Sequence, residues 1–319
     1  MSELFQIGKI NYHFDRVSSF KEITPTKYGL YFEEKFSKHI PNSNNIKIIK
    51  DKGNITAFAI FGKNELESNF LNMNVLTIYH AWAENFSDAT KLITSIEFKL
   101  IEEYDFIVYR PSSNNIFLTA ALSNHGYMLV DTQTSYLGTK NTFYYDLLKK
   151  MVKGKKIKKP TPDDYNNIRS LCKKSFAKYP SKYFVDPNIG SKKSTELYLR
   201  WFEDAKERNN QRMYVSFDKN DKFCTFGFVE IYDEELFVNH FGFKYGYSGW
   251  TGVIPRCRDK DAYLSIISKL ILSLANEKIY NSFLDTQIFN KFTQNIAIRI
   301  GGTPTYTRHT FHKKLINKT

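Results

Sequence analysis

The second half of the chain contains the stretch YNSFLDTQ at residues 280–287, and two glycines follow it at 301 and 302. The first half contains a similar stretch, YDFIVYR at residues 104–110, followed by Gly126. The interval from Tyr104 to Gly126 equals the interval from Tyr280 to Gly302. Each copy predicts a short apolar strand, a helix that begins at an asparagine and a glycine turn into another strand. One such unit in each half predicts two related domains, because solenoid repeats are only about 20–50 residues long.

The length and composition agree with two folded domains, which we place at residues 1–150 and 151–319. A chain of 319 residues with 42% hydrophobic and 16% aromatic residues can bury two sizeable cores. It has no apolar run long enough to cross a bilayer, and residues 1–5 lack the pattern of a signal peptide. The three cysteines have no metal-site spacing. We therefore expect a cytoplasmic protein with reduced thiols, no metal and no membrane insertion.

The net charge of +13 is concentrated in one segment, because seven lysines lie between residues 149 and 159. A run of like charges near Gly154 and Pro160 is typical of a solvated linker between domains. The alternative is a patch that binds phosphate or nucleic acid. No nucleic-acid-binding motif accompanies the run, so we expect no nucleic-acid partner.

In the first half, apolar segments predict strands at residues 54–61, 74–80 and 105–109. An apolar stripe predicts a helix over residues 87–103, and a second helix ends at Gly126. Residues 127–137 and 142–147 predict a closing hairpin. This alternation predicts an α/β fold. The half shows no nucleophile–base pair, no glycine loop and no metal cluster.

The second half has more chemistry-bearing features. Helices are predicted over residues 162–177, 191–208, 261–277 and 290–300, and strands over 212–217, 223–232, 283–287 and 305–315. Residues 236–254 predict a long strand region that is broken by four glycines. This glycine-broken strand is the predicted centre of the site.

This half resembles the GNAT superfamily, specifically the branch that N-acylates nucleotide-linked amino sugars. Residues 183–188 (YFVDPN) and 197–201 (LYLRW) are similar to two motifs of that branch. Residues 285–290 (DTQIFN) resemble its threonine–glutamine–x–x–asparagine strand end, and residues 310–315 (TFHKKL) its last strand. Residues 122–132 resemble a segment of the branch's degenerate first half.

The resemblance implies two tandem GNAT-like α/β domains with mixed, mostly antiparallel sheets flanked by helices, the first domain being degenerate. It implies acyl-CoA as the donor, inserted between two splayed strands with its diphosphate at a helix N-terminus. Backbone N–H groups of Val253 or Ile254 are expected to hold the thioester oxygen. The other expected donor contacts are Arg256, Arg258, Lys260 and Asn290.

The sequence departs from the GNAT pattern in two places. Asp259 and Asp261 replace expected glycines, and Tyr263 replaces a small residue. A carboxylate there competes with a diphosphate for the same N–H groups, so the segment is either an ordinary Asp N-cap or a modified coenzyme A site. The position of the tyrosine that many relatives use as an acid is Ala297. Proximity and a good thiolate leaving group make a dedicated acid dispensable.

Candidate catalytic groups are His240, as the base that deprotonates the amine, and Tyr245, both on the predicted glycine-broken strand. A packed core histidine is the alternative for His240. The expected acceptor-binding residues are Tyr183, Asp186, Asn188 and Gln287. Residues 186–188 could equally be a simple turn, and Gln287 could merely cap the following helix.

The predicted function is transfer of an acetyl or hydroxybutanoyl group from acyl-CoA to the amine of a dTDP-amino-dideoxyhexose for surface polysaccharide (O-antigen) synthesis. The alternatives are a non-catalytic binding or scaffold protein that lost its donor site, a transferase with an aminoacyl or peptide acceptor, and a basic nucleic-acid-binding protein. The sequence is compatible with a monomer or a dimer.

Overall fold

The computed structural model describes residues 2–39, 45–100, 102–258 and 261–315. The helices of the first half are α1 (Glu3–Tyr12), α2 (Pro25–His39), α3 (Glu65–Leu71), α4 (Phe86–Leu100) and α5 (Ile116–Asn124). Its strands are β1 (Ile46–Asp51), β2 (Asn54–Lys63), β3 (Val75–Ala83), β4 (Phe106–Tyr109) and β5 (Met128–Gly138).

In the second half the helices are α6 (Tyr145–Val152), α7 (Pro162–Phe176), α8 (Lys182–Val185), α9 (Gly190–Lys206), α10 (Glu235–Phe241), α11 (Ala262–Asn276) and α12 (Lys291–Arg299). The strands are β6 (Lys156–Lys158), β7 (Gln211–Phe217), β8 (Phe223–Tyr232), β9 (Tyr245–Val253), β10 (Ser282–Gln287) and β11 (Thr303–Lys314).

All of these strands belong to one 11-stranded sheet, in the order β1-β2-β3-β4-β11-β5-β10-β9-β8-β7-β6. Only β3 with β4 and β9 with β10 are parallel pairs, so the sheet is mixed and mostly antiparallel, as predicted. The prediction of a separate sheet in each half is wrong. The halves share a sheet because the last strand of each half, β5 or β11, pairs with strands of the other half. We call this junction of β4, β11, β5 and β10 the seam.

The last strand of each half lies next to a strand of the other half. Strand β11 pairs with β4 through Phe311 opposite Tyr109 and with β5 through Arg308 opposite Gln133. Strand β5 in turn pairs with β10 along the whole of β10. Neither half can therefore complete its hydrogen-bond ladder without the other.

Helices cover both faces of the sheet. On the back face, α4 and α5 pack on the first half, and α6, α11 and α12 pack on the second. On the front face, α1, α2 and α10 cover one part of the sheet, while α3, α7, α8 and α9 cover the rest. On the front face, the helices cover polar side chains of the central strands. The candidate site lies among these side chains.

Two strand predictions are wrong, and both fail where a short helix covers the sheet. Residues 142–147 enter helix α6 instead of a hairpin. The predicted strand over 236–254 is helix α10 followed by β9, and Gly242 at φ 80° ends the helix between them. Short apolar runs do not separate strand from helix, because the two periods cannot be told apart over so few residues.

The lysine run is not a free linker. Lys149 and Lys150 lie in the last turn of helix α6, and Lys156 and Lys158 lie on β6, which pairs with β7. The Lys158 ammonium is 2.9 Å from Asp164, in the first turn of α7.

The cysteines differ from expectation. Cys224 and Cys257 form a disulfide between β8 and the turn before α11, while Cys172 is free and buried. Burial raises the pKa of the Cys172 thiol to about 12, so that thiol stays protonated. Among the described residues, no helix is both long and apolar enough to cross a membrane.

Candidate functional site

Strands β9 and β10 begin side by side and then separate. They pair only at Gly246 with Ser282 and at Tyr247 with Phe283. Immediately beyond, the Asp285 N–H donates to the Ser248 hydroxyl at 3.0 Å instead of to a β9 carbonyl. The rest of β9 therefore has an open backbone edge that faces the gap.

The open edge of β9 presents specific backbone groups. The Ile254 N–H donates to the Cys224 carbonyl at 3.0 Å, so it faces β8 and not the gap. Successive N–H groups of an antiparallel ladder point to opposite sides, and Val253, opposite Thr225 on β8, therefore points its N–H toward the gap. Of the two predicted oxygen-binding groups, the Val253 N–H faces the gap and the Ile254 N–H faces β8. Binding of the thioester oxygen by the Val253 N–H stays a prediction.

The N-terminus of α11 lies at the open end of this gap. Asp261 precedes the helix with φ 51°, the left-handed conformation that glycine favours, and its side chain makes no capping hydrogen bond. The ordinary Asp N-cap is therefore excluded. The Asp261 carboxylate instead lies 3.9 Å from Arg299, and both side chains are more than half exposed. Asp259 and Lys260 lie outside the described residues.

The predicted basic groups next to α11 differ in their surroundings. The Arg256 guanidinium donates to the Phe223 carbonyl at 2.8 Å and lies 3.5 Å from Asp218, so it is turned toward the β7–β8 hairpin. Arg258 is exposed. Their donor-binding roles stay predictions, and Arg256 must leave these partners to reach a ligand.

Tyr263 projects from the first turn of α11 into the gap. Its ring contacts Phe292 with centroids 5.5 Å apart, and its hydroxyl lies beside Thr293 of α12 and Thr251 of β9. Burial raises the pKa of Tyr263, so the phenol stays protonated. Ala297, at the position of the tyrosine used by many relatives, is buried at 1% exposure.

The matching gap in the first half is filled by its own side chains. Strands β3 and β4 pair at four positions, ending at Ile78 with Tyr109. Beyond them, the Ala81 carbonyl accepts from the Tyr109 hydroxyl at 3.1 Å and from Asn115 Nδ2 at 2.9 Å. At the start of α4, Asn85 accepts from the Asp88 N–H at 2.9 Å. The open backbone edge is therefore found at β9.

Solved structures share this arrangement of strands and helices. A GCN5-related N-acetyltransferase from Sphaerobacter thermophilus superposes with a TM-score of 0.56 at 11% identity, covering 89% of this chain and 85% of that one. The fold is that of the GCN5-related N-acetyltransferases (GNATs).

Two further structures are similar at 11% identity. A conserved protein from Staphylococcus epidermidis, described as functionally unknown, has a TM-score of 0.54 and covers 88% of this chain and 97% of that one. A GCN5-related glucosamine N-acetyltransferase region in a fungal multi-domain GH3 β-N-acetylglucosaminidase has a TM-score of 0.57 and covers 98% of this chain and 37% of that one. No known family profile and no curated protein sequence matches the chain.

On the front face of the GNAT sheet there is a polar cavity of about 360 Å³, where the first turn after α1 covers strands β3, β4 and β11. It is lined by Asn11, Phe14, Asp15, Arg16, Asn64, Thr77, Ile78, Tyr79, His80, Ala81, Tyr109, Arg110, Pro111, Ser112, Tyr306 and Arg308. Three guanidinium groups and several aromatic rings thus converge in one space of ligand size.

An ion network connects this cavity to β10. The Asp285 carboxylate lies 3.1 Å from Arg308 and 3.5 Å from Arg16, and it accepts from the Tyr247 hydroxyl at 3.0 Å. Burial alone would raise the pKa of Asp285, but the two arginines hold it below its usual value. The Arg16 guanidinium also stacks 4.6 Å above the Tyr247 ring. Asp285 therefore holds both arginines beside the point where β9 and β10 separate.

Three predicted acceptor-binding residues have partners within the protein. The buried Tyr183 hydroxyl donates to Glu67. Asp186 accepts from His312 Nδ1 at 2.7 Å and from the backbone N–H of Asn188 at 2.8 Å, so residues 186–188 do form a turn. Asn188 itself is exposed. Tyr183 and Asp186 hold α8 against the sheet, and their ligand contact stays a prediction.

Gln287 and Asn290 lie at the end of β10. The Asn290 side chain accepts from the Thr293 N–H at 3.2 Å and so caps α12. The Gln287 carbonyl accepts from the Asn290 N–H, whereas its side chain accepts from the Tyr179 hydroxyl. Gln287 is therefore more than a helix cap, because it joins β10 to the loop between α7 and α8.

The predicted catalytic pair is not in the gap. His240 lies on helix α10, where its Nε2 is 2.9 Å from Glu34 of α2. Tyr245 is on β9 but is packed in the core at 6% exposure, stacked on Tyr232 with ring centroids 4.8 Å apart. The placement of His240 on a strand was wrong because residues 235–241 are helical, and its proposed role as base loses its geometric basis.

Sequence reasoning missed Arg16, Arg308 and Asp131, which the fold brings to the central strands. Arg16 comes from a 3₁₀ turn between α1 and α2, and Arg308 and Asp131 from the two exchanged strands. Arg308 and Asp131 are neighbours only because β11 of the second half pairs with β5 of the first half. No local sequence pattern encodes such a pairing. Alternation along residues 306–312 could have placed Arg308 and His312 on one face of a strand.

Proposed function

We propose that this protein is an N-acyltransferase that uses acyl-CoA as its donor. The observation that carries the proposal is the open backbone edge of β9, which lies beside β10 and beneath the N-terminus of α11, where Asp261 makes no capping hydrogen bond. An extended pantetheine arm adds to such an edge as a strand does. A helix N-terminus offers free N–H groups and positive potential to a diphosphate.

The donor is assigned to the second half, residues 151–319. The Val253 N–H is the proposed ligand of the thioester oxygen, and Arg256, Arg258, Lys260 and Asn290 are the proposed neighbours of the coenzyme. The first half, residues 1–150, is the degenerate unit of a tandem pair, since side chains of Tyr109 and Asn115 already occupy its corresponding edge. Its role is to supply the acceptor side.

The acceptor is proposed to be a dTDP-amino-dideoxyhexose, modified for surface polysaccharide (O-antigen) synthesis. The cavity on the front face has the chemistry for a nucleotide diphosphate, because Arg16, Arg110 and Arg308 can pair with phosphates and Tyr79 and Tyr306 can contact a base. A glucosamine N-acetyltransferase region shares the fold. Gln287, Tyr183, Asp186 and Asn188 border or support this acceptor side.

The proposed chemistry needs alignment more than strong catalysts. Amine attack on a thioester expels a good leaving group, and holding the two reactants in line supplies several kcal/mol, roughly 7–11 at best. The Val253 N–H would stabilise the oxyanion that forms on the thioester oxygen. The Tyr263 phenol, protonated and inside the gap, is placed to return a proton to the thiolate.

Binding of acetyl-CoA tests the donor. Because only the folded state has the β9 edge, acetyl-CoA at 100 times its Kd adds about 2.7 kcal/mol to the free energy of unfolding. We expect a rise of several degrees in Tm and binding heat by calorimetry, with ATP as the control for non-specific nucleotide binding. No shift and no heat with millimolar acetyl-CoA would leave a non-catalytic scaffold as the function.

Thiol release tests the acceptor. We expect the protein to release coenzyme A from acetyl-CoA with a dTDP-amino-dideoxyhexose and to do so more slowly with free glucosamine, which lacks the diphosphate. Faster release with a peptide amine would identify an aminoacyl or peptide acceptor and refute the sugar nucleotide.

A further inference from the structure

Asp131 is a buried carboxylate with one oxygen that has no partner. It lies on β5, opposite Thr310 of β11, and is 7% exposed. Its Oδ2 accepts from Gln133 Nε2 at 2.9 Å, and the backbone N–H of Thr132 is close enough to the carboxylate to lower its pKa. Oδ1 is buried and has no well-formed hydrogen bond to a described residue. An unpaired buried carboxylate oxygen is costly, so Oδ1 is available to accept a hydrogen bond from a bound ligand.

Each element that packs against Asp131 contributes a charged or titratable side chain. Arg110 follows β4 and Arg308 is on β11, while Tyr179 and Tyr198 face it from the loop after α7 and from α9. Burial raises the pKa of Asp131 to about 6, and the Thr132 N–H, Arg308, the Gln133 amide and Arg110 only partly offset this effect. His312, also on β11, is bonded to Asp186 instead. Asp131 is therefore a carboxylate that can both lose and accept a proton near neutral pH.

Two neighbouring carboxylates on this face also have one oxygen without a described hydrogen-bond donor, but basic groups neutralise their charge. Asp285 lies between Arg16 and Arg308. Glu67 pairs with Arg110 and accepts from the Tyr183 hydroxyl. Asp131 differs because its only side-chain hydrogen bond comes from the neutral Gln133 amide. Of the three, Asp131 is therefore the carboxylate with the greatest need for a cationic donor.

Asp131 lies between the cavity and the end of β10. The cavity-lining Arg308 donates to Gln133 at 2.9 Å, and Gln133 donates to Asp131. On the other side, the Ile288 N–H that follows β10 donates to the carbonyl of Thr132, the residue after Asp131. A ligand with its phosphates at the cavity arginines can thus extend its other end toward both Asp131 and the gap.

We infer that Asp131 binds the amino group of the acceptor and is the base of the proposed acyl transfer. This inference rests on the proposed function. The acceptor arrives as an ammonium ion, and Asp131 takes one proton from it. The freed amine lone pair forms the C–N bond to the thioester carbonyl, and the C–S bond breaks. The second proton lost by nitrogen ends on the leaving thiolate, which gives amide and coenzyme A thiol.

The base would then come from the first half and the donor edge from the second. Strand β5 carries Asp131 across the seam because it pairs with β10 from Gln133 opposite Gln287 to Gly138 opposite Ser282. The first half is therefore required for the chemistry as well as for binding the acceptor.

The pH dependence of turnover tests the role of Asp131. With acetyl-CoA and a dTDP-amino-dideoxyhexose, we expect kcat of the wild type to rise with pH around 6. Asp131→Asn keeps the size of the side chain but cannot accept the proton, so kcat should fall by about 100-fold or more. The residual kcat of this variant should instead rise with pH around the pKa of the sugar amine. Asp131→Glu should partly restore the rise of kcat near pH 6.

A matched control is Asp88→Asn, which changes another buried carboxylate at the start of α4 on the back face. It should leave the limb near pH 6 unchanged. If Asp131→Asn also keeps the wild-type limb and turnover, Asp131 is not the base, although the acyltransferase proposal stands. If the wild type neither binds nor hydrolyses acetyl-CoA, the proposed function and this inference fall together.

A second readout does not depend on activity. Carbon-13 NMR of labelled aspartate, compared between the wild type and Asp131→Asn, should show one carboxyl that titrates near pH 6. The dTDP-amino-dideoxyhexose should lower that midpoint, because an ammonium ion beside Oδ1 stabilises the carboxylate. A midpoint below 4, or one that the amino sugar leaves unchanged, overturns the inference.

Discussion

Asp261 shows how a single backbone angle explains an unexpected residue. Its φ of 51° lies in the left-handed region that glycine favours, and aspartate is among the few other residues that tolerate it. The resemblance led us to expect glycine at this position, and the backbone there has a positive φ. What the sequence could not reveal is that the Asp261 carboxylate makes no cap, because capping requires suitable backbone angles as well as a suitable residue type.

A prediction follows at this residue. Asp261→Gly should retain wild-type stability to within about 1 kcal/mol and bind acetyl-CoA more tightly, since it removes a negative charge from the helix N-terminus. Asp261→Val should cost about 1–2 kcal/mol, because a β-branched residue is strained at positive φ. Urea unfolding and calorimetry measure the two effects. Equal stability of the glycine and valine variants would refute the backbone argument.

At the scale of the elements, the strands nearest the repeated stretch were the most predictable. Apolar runs placed β2, β3, β4 and β10 nearly where they lie, because each is buried and bounded by turn residues. Helix α10 was missed, since its seven residues are too few for a clear period. The error displaced His240 from the predicted strand and with it the predicted base.

Gly126 and Gly301, which follow helices α5 and α12 with positive φ, offer a matched comparison of local packing. Gly126 ends α5 with φ 75°, and a methyl group added to its Cα would have no other atom within 4 Å. At Gly301, φ 96°, the same methyl group would lie 1.8 Å from the Thr142 carbonyl oxygen. Gly126→Ala should therefore cost only the strain of positive φ, about 1–2 kcal/mol. Gly301→Ala should cost at least twice as much in urea unfolding. Similar losses would show that the loop around Thr142 moves aside freely.

At the scale of the molecule, the sequence predicted a mixed, mostly antiparallel arrangement of strands but not how the halves join, and the relation between the two halves as a repeat stays a prediction. The exchange of β5 and β11 is a pairing between residues more than 150 positions apart, such as Gln133 and Arg308, and local patterns carry no information on it. The polar side chains of the seam could not be assigned to one site for the same reason. The site thus depends on the pairing of β5 with β11, which is the part of the fold that could not be predicted from the sequence.

The shared sheet predicts how fragments behave. Residues 1–150 and 151–319 made separately should each fail to unfold cooperatively, because β4 and β5 then lack β11, and β10 lacks β5. Mixed together, the two fragments should form a 1:1 complex that unfolds in one transition, detected by analytical ultracentrifugation and calorimetry. Two fragments that fold alone and do not associate would show that the halves are independent domains.

The position of β11 also has a consequence for synthesis on the ribosome. Of the described strands, β11 leaves the exit tunnel last, yet it belongs in the middle of the sheet between β4 and β5. Until then both neighbours present unpaired backbone edges, which are templates for aberrant association. A nascent chain stalled before residue 303 should therefore bind holdase chaperones, and emergence of β11 should end that interaction. The sheet is thus expected to fold only after β11 has emerged, in contrast to proteins whose first domain folds as it leaves the tunnel.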